Sequence, residues 1–399
     1  MHRLGYYPTV VTREWTSETR SHQDTKVRLG DRLRHEVFDT HEVYYLPFRP
    51  GILDKAYLAF GESVFRPLFL LVKLLDVFLA RFTLKFTSFS NFLPFLSKRL
   101  EEETFHSAII SGEPFYLFRI GYSLNKAYGL NWYADYRDDW STNELQMQKV
   151  GGGVRKWIAN VEANYEKKWV GTASAIISVS QLYTERIANF LGKKGFTIEN
   201  GFEDELLSLP LQPCANEFTF TYSGVVYPSQ DVTNIIAALQ LAHTSGRPFQ
   251  LIFLGAGYDV KERKRIESLV PEELKRYVKV TTRMPREEAI IALQKSHAFL
   301  AMAYGNMKGI PSSKLYEYMA LGKPVLLCPT DHDIMEQMLA EVELGFFASS
   351  AEKCLEQIEL IRELYASGRA LALKESSKSK IQKYSRFNQL QQIKEVIGE

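Results

Sequence analysis

Residues 309–327 read GIPSSKLYEYMALGKPVLL, a short stretch that combines the signals of a loop, a helix and a strand. The proline and the two serines favour a helix start, and Gly322 followed closely by a proline favours a helix stop. We therefore predict a helix near 312–321 and a buried strand at 323–329. The charged residue Glu317 stands among leucine, tyrosine and methionine residues, so its place in this helix calls for a reason.

The rest of the chain shows the same alternation of apolar runs and helical stretches. Strands are predicted at 7–12, 42–47, 107–111, 131–135, 175–180, 218–224, 249–255, 277–282 and 297–302. Helices are predicted between them at 151–169, 181–191, 231–245, 260–270 and 285–296. Two β/α arrays in series predict an α/β protein with two doubly wound, Rossmann-like domains.

The boundary between the two arrays is predicted in 199–217, which has proline, asparagine and acidic residues but no periodicity. This gives an N-terminal domain of residues 1–205 and a C-terminal domain of residues 206–379. The final stretch, 380–399, predicts a helix that either packs back on the first domain or caps the second. Because the first strand of a doubly wound sheet is central and the N-terminal run follows a helix stop, we expect a rearranged first sheet or a true N-terminus upstream.

Composition narrows the class of protein. The 399 residues are 45% hydrophobic and 24% charged, as in globular proteins, and the net charge of +2 does not indicate nucleic-acid binding. The three cysteines are far apart and form no CxxC pair, which argues against a zinc site and fits a reducing compartment. No signal-peptide pattern opens the sequence, so a cytoplasmic location is expected.

Residues 64–97 are rich in phenylalanine and leucine. The charged residues that interrupt them are Arg66, Lys73, Asp76, Arg81 and Lys85. No run reaches the ~18 uncharged apolar residues that a membrane-spanning helix needs. One interpretation is a basic amphipathic surface that makes peripheral contact with a membrane. The alternative is a set of core helices with basic residues at their edges.

The start of the helix at 312–321 has the residues of an anion site. A helix N-terminus offers free N–H groups and a partial positive charge, and Lys314 adds a cation. Glu317, one turn further along, is placed to accept two hydrogen bonds from adjacent hydroxyls such as those of a ribose. A nucleoside diphosphate fits both features. The alternative is that Glu317 only offsets the helix dipole while the two serines only cap the helix.

The stretch SSKLYEYMALGKPVL resembles the donor-binding motif of GT-B glycosyltransferases, in particular glycosyltransferase family 4, the glycosyl transferases group 1. The resemblance implies that Glu317 binds the donor ribose and that the loop and helix start hold the diphosphate. The residues that take this second role are Ser312, Ser313, Lys314 and Leu315. The family often has a second glutamate eight residues before the first, and Gly309 stands there instead. The resemblance therefore leaves the contact with the donor sugar open.

FTFTYSGVVYPSQDVTNIIAALQLA resembles the first strand, loop and helix of the family's donor domain, with Gly224 where the backbone approaches the donor. Many members carry an arginine and a lysine in this loop, which here has valine, serine and glutamine. The diphosphate charge still needs compensation, for which Lys314, the helix N-terminus and Arg283 are the candidates. Gly255 and Gly257 follow another strand and predict a donor-side loop or, as the simpler alternative, a tight turn.

NWYADYRDDW, residues 131–140, places charged side chains just after a strand, where ligands bind in such sheets. It resembles the D-x-R-D-x-W segment of a family 4 subgroup. Asp138 is expected to orient an acceptor hydroxyl or the donor sugar. Arg137 is expected to pair with it or to bind an acceptor phosphate. The alternative is a salt-bridged loop without function.

The sequence DHD at 331–333 invites comparison with the metal-binding DxD of GT-A transferases. A GT-A fold has one mixed sheet rather than two β/α arrays, and DHD also suits a helix cap. We therefore expect no metal site and no cofactor.

The resemblance implies a retaining hexosyltransferase with a cleft between its two domains. Its donor is a UDP- or GDP-sugar, and its acceptor is a glycan, expected to be lipid-linked, in bacterial surface polysaccharide biosynthesis at the inner face of the cytoplasmic membrane. Two alternatives remain: a GT-B-fold sugar-nucleotide epimerase, and a non-catalytic nucleotide-sugar-binding or scaffold protein.

Overall fold

A computed structural model of the chain describes residues 1–14, 32–52, 54–55, 71, 75, 78–142, 153–210 and 212–398. The chain folds into two units. The first comprises Met1–Ile198 together with Gln392–Glu399, and the second comprises Glu199–Gln391. Arg66, Lys73 and Asp76, which belong to the predicted amphipathic surface, lie outside the described residues.

The first unit has two sheets. Strands β1 (Thr9–Arg13), β2 (Arg34–Phe38) and β3 (His41–Leu46) form one in the order β1-β3-β2, with β2 antiparallel to β3. The other is parallel, β4-β5-β6-β7, made of β4 (Ala108–Ser111), β5 (Trp132–Tyr136), β6 (Ala175–Ser178) and β7 (Gly195–Thr197). The helices of this unit are α1 (Phe92–Glu102), α2 (Phe118–Tyr128), α3 (Gly153–Val170) and α4 (Gln181–Leu191).

The second unit holds one parallel sheet of six strands. They are β8 (Thr219–Ser223), β9 (Gln250–Leu254), β10 (Val278–Val280), β11 (Ala298–Ala301), β12 (Val325–Leu327) and β13 (Gly345–Phe347). The order β10-β9-β8-β11-β12-β13 is that of a doubly wound sheet, which reverses its direction of growth between β8 and β11. Ligands of such sheets bind beyond the carboxyl ends of the strands at this reversal.

The helices of the second unit cover both faces of the sheet. They are α5 (Thr233–Thr244), α6 (Val260–Leu269), α7 (Arg286–Gln294), α8 (Ser313–Leu321), α9 (Ile334–Glu341), α10 (Ala351–Ala366), α11 (Leu373–Gln382) and α12 (Arg386–Gln391). Alternate residues of β11 face opposite sides: Leu300 packs with Phe220 on one face, and Phe299 packs with Tyr318 of α8 on the other. Burial on both faces explains why the strands read as unbroken apolar runs.

The last helix, α13 (Ile393–Ile397), belongs to the first unit. Its side chains Ile393 and Val396 are buried with Tyr133, Ile177 and Ile198 beside the parallel sheet. Among the helices within the described residues, none is long and apolar enough to cross a membrane.

Candidate active site

Helix α8 begins at the sheet reversal with its first backbone N–H groups uncapped. Ser312 is the N-cap residue, but its side chain makes no capping hydrogen bond within the described part of the chain. Its Oγ instead accepts from the Tyr304 hydroxyl at 3.3 Å, and its carbonyl accepts from Leu315 N at 3.0 Å. Ser313 is exposed as the first residue of the helix. The helix start can therefore receive an anion on its backbone N–H groups.

Lys314 extends from this helix start across Gly224. A Cβ atom on Gly224 would lie 2.4 Å from Lys314 Cε, so the glycine is needed for this packing, and its φ of 101° also favours glycine. Lys314 Nζ lies 5.3 Å from the ring centre of Tyr222 and 5.6 Å from that of Tyr227. The side chain of Lys314 thus lies against the loop after β8, where many members of the family carry an arginine and a lysine that this chain lacks.

The charge of Lys314 is poorly compensated. No carboxylate among the described residues forms an ion pair with it. Burial lowers the pKa of Lys314 to about 8, and the nearby charge of Glu317 only partly opposes this. A phosphate bound at this point would supply the missing negative charge and raise the lysine pKa again.

Glu317 lies one turn along α8 and is held by an arginine that the sequence analysis missed. Its Oε1 is 3.1 Å from Nη2 of Arg286, the first residue of α7, and the two side chains are 30% and 55% exposed. At this exposure the pair adds little to stability, but it orients the carboxylate. The carboxylate remains accessible for hydrogen bonds from a ligand.

Two further contacts fix the loop after β8. The buried Gln230 accepts from the Tyr222 hydroxyl and from Tyr227 N, both at 3.0 Å, and donates to Met302 O at 3.1 Å. Tyr318 of α8 accepts from Ser223 N at 2.7 Å. Gln230, where the family carries a charged loop, therefore stabilises the loop that surrounds Lys314.

The two predicted glycines after β9 have different roles. Gly255 has a φ of 83°, its N–H donates to Thr281 Oγ1 at 2.9 Å, and a Cβ there would lie 3.8 Å from Gly224 Cα. Gly257 N donates to Thr281 O at 2.9 Å, and a Cβ would lie equally close to that oxygen. Gly255 thus adjoins the Gly224 loop, whereas Gly257 serves a tight turn. Arg283 is exposed and lies over the Tyr258 ring, 4.3 Å from its centre.

The carboxylates of DHD bind backbone groups. Asp331 accepts from Met335 N at 2.8 Å and from Glu336 N at 3.1 Å, while Asp333 accepts from Gly309 N at 2.5 Å. These contacts cap α9 and fix the loop before α8. Within the described ranges, no group of three potential metal ligands occurs.

In the first unit, acidic residues gather where β4 and β5 end. Asp135 is buried, accepts from the Ser111 hydroxyl at 2.5 Å, and pairs with Arg137 Nε at 3.0 Å. Asp139 is buried, and its Oδ2 lies 3.6 Å from Nη1 of Arg186 in α4. Arg137 is thus held by Asp135.

Asp138 lies between these residues at the surface. Loss of hydration, the carboxyl of Glu113 that shares a hydrogen bond with it, and the charge of Asp139 together raise its pKa to about 6. Glu113 follows β4 and has a φ of 84°, which is rare for a residue with a side chain. Asp138 therefore loses its proton near pH 6 rather than at the usual acidic pH.

A buried glutamate of α3 supports this loop and was also missed. Glu166 accepts from the Tyr136 hydroxyl at 2.9 Å and from Ser141 N at 3.1 Å. Burial raises the pKa of Glu166, although both hydrogen bonds oppose the shift. By binding residues on either side of Asp138, Glu166 fixes the course of the loop.

The sequence and the structure of the chain were compared with those of known proteins. Residues 211–380 match the family model described as glycosyl transferases group 1. No curated protein sequence matches the chain significantly. Sucrose-phosphate synthase from Thermosynechococcus elongatus has a similar structure, with a TM-score of 0.61 and 14% identity over 99% of this chain and 89% of that chain.

A second similar structure is the UDP-forming α,α-trehalose-phosphate synthase from Burkholderia xenovorans in complex with glucose-6-phosphate. The TM-score is 0.63 at 8% identity, over 98% of this chain and 100% of that chain. At such identities the likeness concerns the fold. The predicted resemblance is therefore confirmed: the chain has the GT-B fold, and residues 211–380 match the glycosyl transferases group 1.

Proposed function

We propose that this chain is a retaining hexosyltransferase that uses a UDP- or GDP-sugar and a glycan acceptor. The observation that carries the proposal is Lys314, a half-buried cation without a carboxylate partner among the described residues, beside the uncapped start of α8. A diphosphate supplies the negative charge that this position lacks. Glu317, which is held by Arg286 and remains accessible, is the group for the ribose hydroxyls.

Stabilisation of the leaving diphosphate is the main contribution of these residues to the reaction. As the bond to the sugar breaks, negative charge builds up on the phosphate oxygens, where Lys314 and the N–H groups of Ser313 and Lys314 are positioned in advance. In a front-face mechanism, one of those oxygens also removes the acceptor proton. The α8 start therefore determines the rate more than any general base of the protein.

The loop after β5 is our candidate for acceptor binding. Asp138, in its pair with Glu113, accepts a hydrogen bond from an acceptor hydroxyl. The side chain of Arg137 is 47% exposed to solvent and is available to bind an acceptor phosphate. One of the similar structures contains glucose-6-phosphate, and another concerns glycosyl transfer with retention. The first feature supports a phosphorylated acceptor, and the second supports a retained configuration.

A peripheral membrane contact fits a lipid-linked acceptor. Five large apolar side chains at helical or near-helical spacing are 44–66% exposed: Leu71, Leu75, Phe78, Phe82 and Phe86. Lys85 is exposed next to them. Such a surface favours the headgroup region of an anionic bilayer, here the inner face of the cytoplasmic membrane in polysaccharide biosynthesis. Flotation with anionic vesicles should carry the wild type upward and leave a Phe78→Ser, Phe82→Ser variant behind; equal flotation of both would refute this contact.

The reaction itself is tested by nucleotide release. We expect UDP or GDP to be released from the matching sugar nucleotide faster with a glycan acceptor than without one, and the product to keep the anomeric configuration of the donor. Epimerisation of the sugar nucleotide without any acceptor would replace the transferase by an epimerase. Binding of the sugar nucleotide without turnover in the presence of any acceptor would leave only a binding protein.

A further inference from the structure

Cys214 and Lys323 lie apart from the candidate active-site residues and contact each other. Lys323 Nζ donates to Cys214 Sγ at 3.4 Å, although 109 residues separate the two in the sequence. Lys323 is 6% exposed, and the backbone carbonyls of Gln294 and Ser296 also accept from its Nζ. The lysine nitrogen is therefore held beside one sulfur atom by two fixed backbone groups.

Cys214 is the most accessible of the three thiols. It is half-buried in the segment before β8, and its Sγ lies 3.5 Å from Ser296 O and 4.0 Å from the Tyr365 hydroxyl. Cys328 and Cys354 are fully buried in the core of the same unit. An oxidant that enters from solvent therefore meets Cys214 first, and the nearest nucleophilic group there is the amine of Lys323.

We propose that Cys214 and Lys323 form a redox modification site, in which hydrogen peroxide links the two side chains by a covalent S–N bond. Peroxide first converts the thiol to a sulfenic acid and leaves as one water. The neutral lysine amine then attacks the sulfur, and the sulfenic hydroxyl departs with one amine proton as a second water. Two hydrogen atoms are lost in total, and a dithiol reductant returns the thiol and the amine.

The surroundings of Lys323 favour the second step. Burial lowers the pKa of Lys323, although Cys214 partly opposes the shift, so that a larger fraction of the amine is neutral and nucleophilic. The two carbonyls hold the nitrogen next to the sulfur, which reduces the entropy lost on bond formation. A disulfide would require a second thiol beside Cys214, and a sulfinic acid would require more peroxide.

The link would join two segments that border the donor elements. Lys323 follows Gly322, where α8 ends, and Cys214 lies before β8, whose end leads into the Gly224 loop. Closing a loop of this length restricts the unfolded chain and stabilises the folded one. Oxidation should therefore fix the end of α8 in place and raise the Tm of the chain.

Mass spectrometry of the intact, full-length chain after treatment with hydrogen peroxide tests the proposal. We expect digestion to yield one linked pair of peptides containing Cys214 and Lys323, lighter by two hydrogen atoms than the separate peptides. Dithiothreitol should abolish the pair and reverse a rise in Tm on the order of 5 °C. Cys354 in the same digest serves as the buried internal reference and should remain a thiol.

The wild-type chain decides the matter, since no variant has to fold. Peroxide that leaves Cys214 as a thiol, or takes it to a sulfinic acid without a linked peptide, would overturn the proposal. If the linked peptides form but the Tm does not change, the inference that the link stabilises the end of α8 is wrong. As a control, Cys214→Ser keeps a partner for Lys323 and should give neither the linked pair nor the Tm rise.

Discussion

The carboxyl ends of the parallel strands carry opposite charges in the two units. In the second unit, the loop after β8 and the start of α8 bring together a glycine, uncapped N–H groups and Lys314. In the first unit, the loops after β4 and β5 bring together Glu113, Asp138 and Asp139. The two all-parallel sheets each offer a ligand position beyond the carboxyl ends of their strands, so the topology sets the position and the loop residues decide which ligand fits.

The pKa values show the same contrast. Burial lowers the pKa of Lys314 to about 8, and loss of hydration with a neighbouring carboxyl raises that of Asp138 to about 6. Both shifts mean that the charged form is insufficiently compensated in the free protein. An anion would stabilise the charged form of Lys314, whereas a hydroxyl or a cation would stabilise the Asp138 carboxylate. These two shifts agree with the proposal of a phosphate at Lys314 and a sugar hydroxyl at Asp138.

Replacing the cation should have the largest effect. Lys314→Met should lower the affinity for the preferred nucleoside diphosphate by about 100-fold, because a charge-assisted phosphate contact is lost. The Tm of the free protein should not fall, since burial disfavours the lysine charge. Calorimetric titration and thermal unfolding measure the two quantities. Lys279→Met, which removes an exposed lysine from β10, is the matched control. Unchanged affinity in Lys314→Met would remove the phosphate role from this residue.

Gly224→Ala and Gly246→Ala form a matched pair. Both glycines have a positive φ, 101° and 74°, so each alanine should cost about 1–2 kcal/mol of unfolding free energy. At Gly224 the new Cβ must displace the flexible end of Lys314, whereas at Gly246 no atom lies within 4 Å. Only Gly224→Ala should therefore weaken diphosphate binding, by about 10-fold, which calorimetric titration measures. Equal affinities in the two variants would show that the position of Lys314 does not matter.

The acidic residues in the loops after β4 and β5 should make the stability of the protein depend on pH. The pKa of Asp138 is raised from 3.8 to about 6, so its contribution to stability is present below pH 3.8 and is lost as the pH rises through 6. Asp138→Asn removes this loss. Its Tm advantage over the wild type should grow by about 3 °C from pH 4 to pH 7.5, a modest value because the residue is exposed. Glu113→Gln should do the same, and a Tm difference independent of pH in both variants would disprove the pair.

Much of the structure around the proposed donor site was predictable because its signals are local. Ser312, Lys314, Glu317 and the helix stop at Gly322 lie within one turn-and-helix pattern, and the structure places α8 at Ser313–Leu321. The alternation of apolar runs and helical stretches predicted both β/α arrays, because this signal is also local. The strands missed were β7 and β13, of three residues each, and β2, whose charged residues RHE hide an antiparallel edge strand.

The residues that support the site could not be predicted, because their partners are distant in sequence. Gln230 bonds a carbonyl 72 residues away, and Glu166 binds a hydroxyl 30 residues away. Arg286 meets Glu317, and Glu113 meets Asp138, only after the strands have been ordered in their sheets. Spacing along one sequence carries no signal for such pairs.

Thermal shift with nucleotides tests whether α8 binds the nucleotide of the donor. We would measure the Tm of the wild type and of Glu317→Ala with UDP, GDP, ADP and CMP, with Glu288→Ala as an exposed glutamate control in α7. If α8 binds the nucleotide, one diphosphate should raise the Tm of the wild type and of the control, and most of this rise should be lost in Glu317→Ala. An equal rise in Glu317→Ala, or no rise in the wild type with any nucleotide, would contradict it.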